Sequence, residues 1–292
     1  DTIPIRGGEV VRFILVNRTM MHHPMHLHGH FFRVLNGQGD HAPLKHTVDV
    51  APMSTTVIEF AADAPGDVVQ YLTAHDGLTL HDKIAKILRL NPDTQRADIL
   101  KVARLGLVLL ATAQGTAFVH GGCEMGRTKW VLGAMPEAVG GNVGNVYYVR
   151  NSYDSSDGVN GYDWATWMAP GSEGERTSRY LRGLLALRRS SDAFRLGSRS
   201  LASSNVTMLD GSKPLAIGYR VVSSSGAERF NVFVNAGTGP VTFSTGGFDL
   251  PAAAAVVDDD EAGAGAVSVP TGFSVAPGLI TVAPRTAVVL KE

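Results

Sequence analysis

Met20-Met21-His22-His23-Pro24-Met25-His26-Leu27-His28-Gly29-His30 carries five of the ten histidines in this 292-residue chain. Neutral imidazole is the commonest metal ligand among side chains, and a cluster this dense reads as a metal site more readily than as packing. On an extended strand His26 and His28 point to one face, as two ligands converging on a metal would. His23 precedes them, behind a proline whose ring fixes the local backbone. Imidazole suits copper, zinc, iron and nickel, and nearby thioethers favour copper. Met20, Met21 and Met25 therefore point to copper, with His23, His26 and His28 as ligands and His22, His30 or Met25 as additional donors. The alternative is a His-rich loop that holds no metal. Around the cluster, Glu9 to Asn17, His30 to Leu35 and Thr55 to Phe60 are rich in Val, Ile and Phe. They predict strands of a partial antiparallel sheet.

The stretch from about Gly8 to Asp67 contains GEVVRFILVNRTMMHHPMHLHGHFFRVLNG and KHTVDVAPMSTTVIEFAADAPGD. It resembles the last cupredoxin domain of multicopper oxidases, the laccase-like enzymes, and most of all their copper-resistance group. The resemblance implies a copper cofactor, a phenolic or metal substrate and a periplasmic or extracellular setting. By position, His23 would be the mononuclear blue-copper ligand, and His26 and His28 would ligate the trinuclear cluster. His30 is usually not a ligand in that family. After this point the family continues into a strand carrying His-Cys-His. Here Gly66-Asp67 runs instead into Val68-Val69-Gln70-Tyr71-Leu72-Thr73-Ala74-His75-Asp76, and the single cysteine, Cys123, has no histidine beside it. A blue-copper site needs two His and a Cys thiolate, so the copper set is incomplete.

From about Val68 the chain resembles another family, the C-terminal part of pullulanase-type enzymes of the alpha-amylase superfamily. Tyr71-Leu72-Thr73-Ala74-His75-Asp76-Gly77-Leu78-Thr79-Leu80-His81-Asp82-Lys83 looks like that family's last catalytic segment. Ala113 to Gly122 (AQGTAFVHGG) resembles its final barrel strand. Arg127-Thr128-Lys129, then Arg150-Asn151-Ser152-Tyr153-Asp154-Ser155-Ser156-Asp157 and Tyr162-Asp163-Trp164, resemble the loop after it. The resemblance implies an alpha-glucan ligand, with His75 and Asp76 as the sugar-binding histidine and supporting aspartate. Asn151 and Trp164 are candidate carbohydrate contacts. A retaining glycosidase needs a nucleophile and an acid/base about 5–5.5 Å apart, and in that family both lie upstream of the His-Asp segment, on strands not recognisable here.

The fold class expected is mixed. A partial cupredoxin-like antiparallel β-sheet occupies residues 1–67. An α/β remnant of a TIM-type barrel follows in 68–198, and a C-terminal β-sandwich in 199–292. Within the second part Asp98 to Ala113 is apolar almost all round and predicts a buried helix. Thr116 to His120 reads as a short buried strand, and Arg176 to Arg195 as an amphipathic helix. A barrel remnant of this kind would leave the apolar helix short of cover. In the third part Leu215 to Val222, Arg229 to Val234, Val241 to Ser244, Ala266 to Val269 and Ala287 to Leu290 predict strands of a small sandwich. Ala252 to Ala266 reads as low-complexity, with a solvated acidic loop at Asp258-Asp259-Asp260-Glu261.

With 44% hydrophobic residues and a net charge of −1, the chain can bury one large or two moderate cores. No basic stripe points to nucleic acid, and no apolar run is long enough to span a membrane. One cysteine excludes an internal disulfide framework. Two functions stay open: a copper-dependent, laccase-like oxidoreductase, which the intact local histidine cluster favours, and an alpha-glucan hydrolase of the pullulanase type. An unpaired sheet edge in the first part predicts self-association.

Overall fold

The computed structural model describes residues 8–27, 30–61, 69–132, 146–210, 213–248, 250 and 254–292. Its contacts divide into two units. One is built mainly from residues 1–70, and the other runs from Tyr71 to Glu292 apart from two short segments, 114–116 and 195–203.

In the first unit Val10–Val16 pairs antiparallel with Thr55–Ala61, register Phe13 opposite Ile58, and Arg33–Val34 pairs on the far side of that strand. Burial alternates along Val10–Val16. Val11, Phe13 and Leu15 turn inward onto Phe32, Ile58 and Phe60, while Val10, Arg12, Ile14 and Val16 face outward. Period-two alternation is what a sheet with one covered face imposes. A separate ribbon pairs His23–His26 with Thr47–Val50, so that His23 lies opposite Val50 and His26 opposite Thr47. Asn17 ties the strand end to the ribbon. It is buried, and its Nδ2 lies within 2.7–3.0 Å of the carbonyls of Met21, Val50 and Ala51.

In the second unit a five-stranded antiparallel sheet has the order Val206–Met208, Ala216–Val222, Arg229–Asn235, Thr286–Lys291, Ala254–Val257. Both faces are covered. Phe230, Val232 and Val234 meet the helices Arg96–Thr112 and Glu173–Ser190 through Leu107, Ala111, Leu184 and Leu187. Phe233, Val288 and Leu290 meet a three-stranded sheet of Val241–Ser244, Leu279–Val282 and Phe273–Ala276 through Phe243, Ile280 and Val282. A strand covered on both faces loses the alternation of burial, and in Arg229–Asn235 (RFNVFVN) every residue after Arg229 is buried. Arg188 closes the end of the first of these helices by donating to the carbonyls of Ala111 (2.8 Å) and Ala113 (2.7 Å), which satisfies carbonyls a helix end leaves unpaired.

These contacts correct three expectations. The apolar helix is not short of cover, because the sheet and Glu173–Ser190 bury it from both sides. The strand Thr116–Phe118 is not buried: its ladder has two strands among the described residues, and Phe118 stays 46% exposed against the edge of Tyr71. Ala266 to Val269 is irregular, and Ala254–Val257, inside the stretch read as low-complexity, forms the strand. Among the described residues the chain is β-rich, closes no barrel, and has no helix long and apolar enough to cross a membrane.

Candidate functional site

The histidine cluster occupies the ribbon of the first unit. His23 and His26 are three residues apart on one strand, so their rings leave opposite faces. His23 Nε2 lies 2.8 Å from Thr19 Oγ1. His26 Nδ1 donates to the His46 carbonyl at 2.6 Å, and its ring meets that of His46 edge-on at 5.4 Å. His22 Nδ1 is 2.5 Å from Asp49 Oδ2. His30 lies tilted against Phe60, ring centroids 4.9 Å apart, and Met25 is 43% exposed. His28 lies outside the described residues. Among the described residues no three His, Cys, Asp or Glu side chains converge as a metal-binding group. Cys123 belongs to the second unit, buried 3.3 Å from Thr73 Oγ1, and burial pushes its thiol up. Among the described residues His23 and His26 therefore form no shared metal-binding group.

The His75–Asp76 segment is built from beneath. Thr79 caps helix Leu80–Leu88, its Oγ1 accepting from Asp82 N at 3.1 Å. That places Asp82 in the first turn, fully buried. Its carboxylate accepts from the Thr128 hydroxyl and, at 2.8 Å, from Lys129 N. His81, also buried, has Nδ1 3.2 Å from Asp82 Oδ1. Burial pushes the His81 pKa down, against the pull of Asp82. Arg96 lies beside His81 and donates to the carbonyls of Met125 (2.6 Å) and Gly126 (2.8 Å). Above this floor, Gly77 at φ +79° turns the chain, a conformation glycine adopts without steric penalty. His75 and Asp76 stand out into solvent, 87% and 86% exposed, with Nε2 and Oδ2 3.5 Å apart.

The neighbouring groups carry polar and aromatic surface. His120 is held below the usual imidazole range by burial and by the positive charges of Arg127 and Lys129, with His75 adding to them. Tyr162 donates to the Gly121 carbonyl at 3.0 Å, lies under the Arg127 guanidinium at 4.9 Å, and stacks on Trp164 at 5.8 Å and 18°. Trp164 is 58% exposed. Asn151 is exposed, next to the buried Ser152. Stacked aromatics with one face in water present the apolar surface that sugar rings take. The supporting residues His81, Asp82 and Lys129 fall inside the motifs quoted from the sequence, which assign them no individual role. The one local signal was the capping pattern Thr79-Leu80-His81-Asp82, which marks a helix start and not a buried carboxylate.

Two family models match this chain. Residues 1–71 match the multicopper oxidase family, and residues 206–292 match the SpuA C-terminal family. Among individual proteins, Pullulanase A of Streptococcus pneumoniae is 34% identical over 244 residues, covering 73% of this chain and 19% of its own length. Copper resistance protein A of Pseudomonas syringae pv. tomato is 44% identical over 62 residues, 21% of this chain and 10% of that protein. In three dimensions the chain is similar to the multi-modular glycogen-degrading pneumococcal virulence factor SpuA in a product complex. That match has TM-score 0.73 and 34% identity, over 80% of this chain and 27% of that one. The Group B Streptococcus pullulanase SAP in complex with maltotetraose gives 0.74 and 37%, over 80% and 33%. The chain thus joins a short stretch similar to multicopper oxidases to a long one similar to the C-terminal part of pullulanases, and spans about a fifth of the curated pullulanases it matches.

Proposed function

We propose that residues 71–292 form the alpha-glucan-facing C-terminal part of a pullulanase-like glycoside hydrolase. The observation that carries this reading is the His75–Asp76 pair, fully presented to solvent on a loop fixed by buried groups beneath it. In this reading His75, Asp76 and Asn151 hydrogen-bond sugar hydroxyls, and Trp164 with Tyr162 stacks on a ring. The group acts by binding and orienting. Double displacement needs two carboxyl groups about 5–5.5 Å apart, and the residues before Tyr71 match the multicopper oxidase model instead of the strands that carry them in pullulanases. Calorimetric titration with maltotetraose tests it. Binding that weakens in Asp76→Asn and Trp164→Ala is the expected result, with no reducing sugar released from pullulan. A wild type that ignores maltotetraose sinks the binding role, and pullulan cleavage lost in Asp76→Asn sinks the restriction to binding.

A second reading, copper binding by the first unit within a laccase-like oxidoreductase, is favoured by one observation, the match of residues 1–71 to multicopper oxidases. The ribbon geometry supplies no shared site for His23 and His26, so no oxidase step is derived from it.

A further inference from the structure

Lys129 is a buried cation that meets no carboxylate with its ammonium among the described residues. Only 3% of it is exposed. Its Nζ donates to the Gly77 carbonyl at 2.9 Å, to Ser152 Oγ at 3.1 Å and to the Arg150 carbonyl at 3.3 Å. The rest of the residue is equally fixed. Its N–H donates to Asp82 at 2.8 Å, and its carbonyl accepts from Val149 N at 3.0 Å. Burying an ammonium away from water is costly unless oxygens replace the hydration shell. A methionine would fill the same volume without that cost, so packing alone does not account for a lysine here. The three oxygens belong to two loops. One carries His75 and Asp76 just before Gly77, and the other carries Asn151 between Arg150 and Ser152.

We infer that Lys129 is a positioning residue: one ammonium clamps the His75–Gly77 loop to the Arg150–Ser152 loop and so sets the spacing between the two groups of sugar-facing side chains. A lysine suits this task because its three N–H bonds diverge from a single point. Asp82 anchors the clamp at its root, and Asn160 steadies the second loop by donating to Ser152 O (2.5 Å) and Ser155 O (3.0 Å). The sugar-binding consequence rests on the function proposed above, whereas the clamp itself does not.

The test therefore has two arms on the full chain. In the first, without sugar, amide hydrogen exchange and the NMR signals of the His75 imidazole are compared in wild type, Lys129→Met and Arg104→Met. Arg104 is another buried cation of the same unit, bound to Thr177 and Glu173, and it controls for lost stability. Exchange in both loops should quicken about tenfold in Lys129→Met alone, with the His75 signals shifted. Loops unchanged in Lys129→Met, or loosened as much in Arg104→Met, overturn the clamp. In the second arm, maltotetraose affinity should fall roughly ten- to a hundredfold in Lys129→Met and stay near wild type in Arg104→Met. Equal affinity in Lys129→Met and wild type overturns the positioning role. A wild type that binds no maltotetraose removes the sugar reading and leaves the first arm to decide. Should Lys129→Met not fold, Ser152→Ala decides. It must quicken exchange at residues 150–152 while leaving that at 75–77 as in wild type, and unchanged exchange at 150–152 refutes the inference.

Discussion

Replacing Gly183 by alanine should destabilise the second unit, against the usual sign of that change within a helix. Glycine in a helix interior is about 1 kcal/mol less favourable than alanine, so an unhindered site would gain. Gly183 lies on the face of Glu173–Ser190 that touches the loop after Ala254–Val257. A Cβ there would sit 1.8 Å from the Ala262 carbonyl oxygen and 2.4 Å from its carbon. Relieving the contact requires roughly 1.5 Å of movement, and the atoms in the way are backbone. The loop has little room to retreat. Asp258, fully buried, accepts from the backbone N–H of Asp260, Glu261 and Thr271, and its own carbonyl accepts from the Tyr180 hydroxyl at 2.9 Å. Overpacking of this kind costs about 1–3 kcal/mol, and straining the Tyr180 bond adds about 1 kcal/mol. After the propensity gain, the net loss is about 1–3 kcal/mol, or roughly 2–4 °C of Tm per kcal/mol for a unit of this size. Thermal and urea unfolding of Gly183→Ala measure it, beside Gly239→Ala, whose Cβ would meet nothing within 4 Å. A Gly183→Ala protein as stable as wild type, or more so, would refute the reasoning.

His81 makes stability fall with acid. Its folded pKa is depressed below 6.5 by burial, so the unfolded chain binds more protons between that depressed value and 6.5, and stability is full above 6.5 and declines as pH drops through this window. His81→Gln should flatten that part of the pH profile, and an unchanged slope counts against it. For copper, His23→Ala and His26→Ala should act independently, because the rings leave opposite faces of their strand. Titrations in which either change alone abolishes all binding would show a shared site. The strand Val10–Val16 is an edge among the described residues, with Val10, Ile14 and Val16 exposed by 66%, 68% and 54%. Such an edge is a template for pairing between chains, so Ile14→Lys should reduce association in sedimentation runs at low micromolar concentration, and a wild type that is already monomeric sinks the idea.

What the sequence made legible depended on how local the cause was. Helix Arg96–Thr112 was readable because Leu and Ala dominate its apolar positions, and strand Arg229–Asn235 because β-branched and aromatic residues run together. Ala254–Val257 was not readable. An alanine-rich run has weak strand preference, and its strand is imposed by pairing with Thr286–Lys291 across a bulge. The same holds at the candidate site. His75 and Asp76 came from a motif, whereas the clamp beneath them joins Lys129 to atoms 52 and 23 residues away, and no spacing rule reaches that far. The histidine cluster was legible as a run of donors, not as an arrangement: His23 and His26 leave opposite faces of the ribbon, and His28, expected on the same face as His26, lies outside the described residues.

The strand order of the five-stranded sheet has a consequence for synthesis. Thr286–Lys291 lies between Arg229–Asn235 and Ala254–Val257 and, among the described residues, is the strand that joins them. As the chain leaves the ribosome, the helices around Leu107 and Leu184 emerge long before that strand does. Until it arrives, their cover is split and Val232 has no partner on one side. The unit therefore completes its core late, after its most apolar helix has already been exposed. That interval, more than the finished structure, is when apolar surface of this chain is open to misassembly.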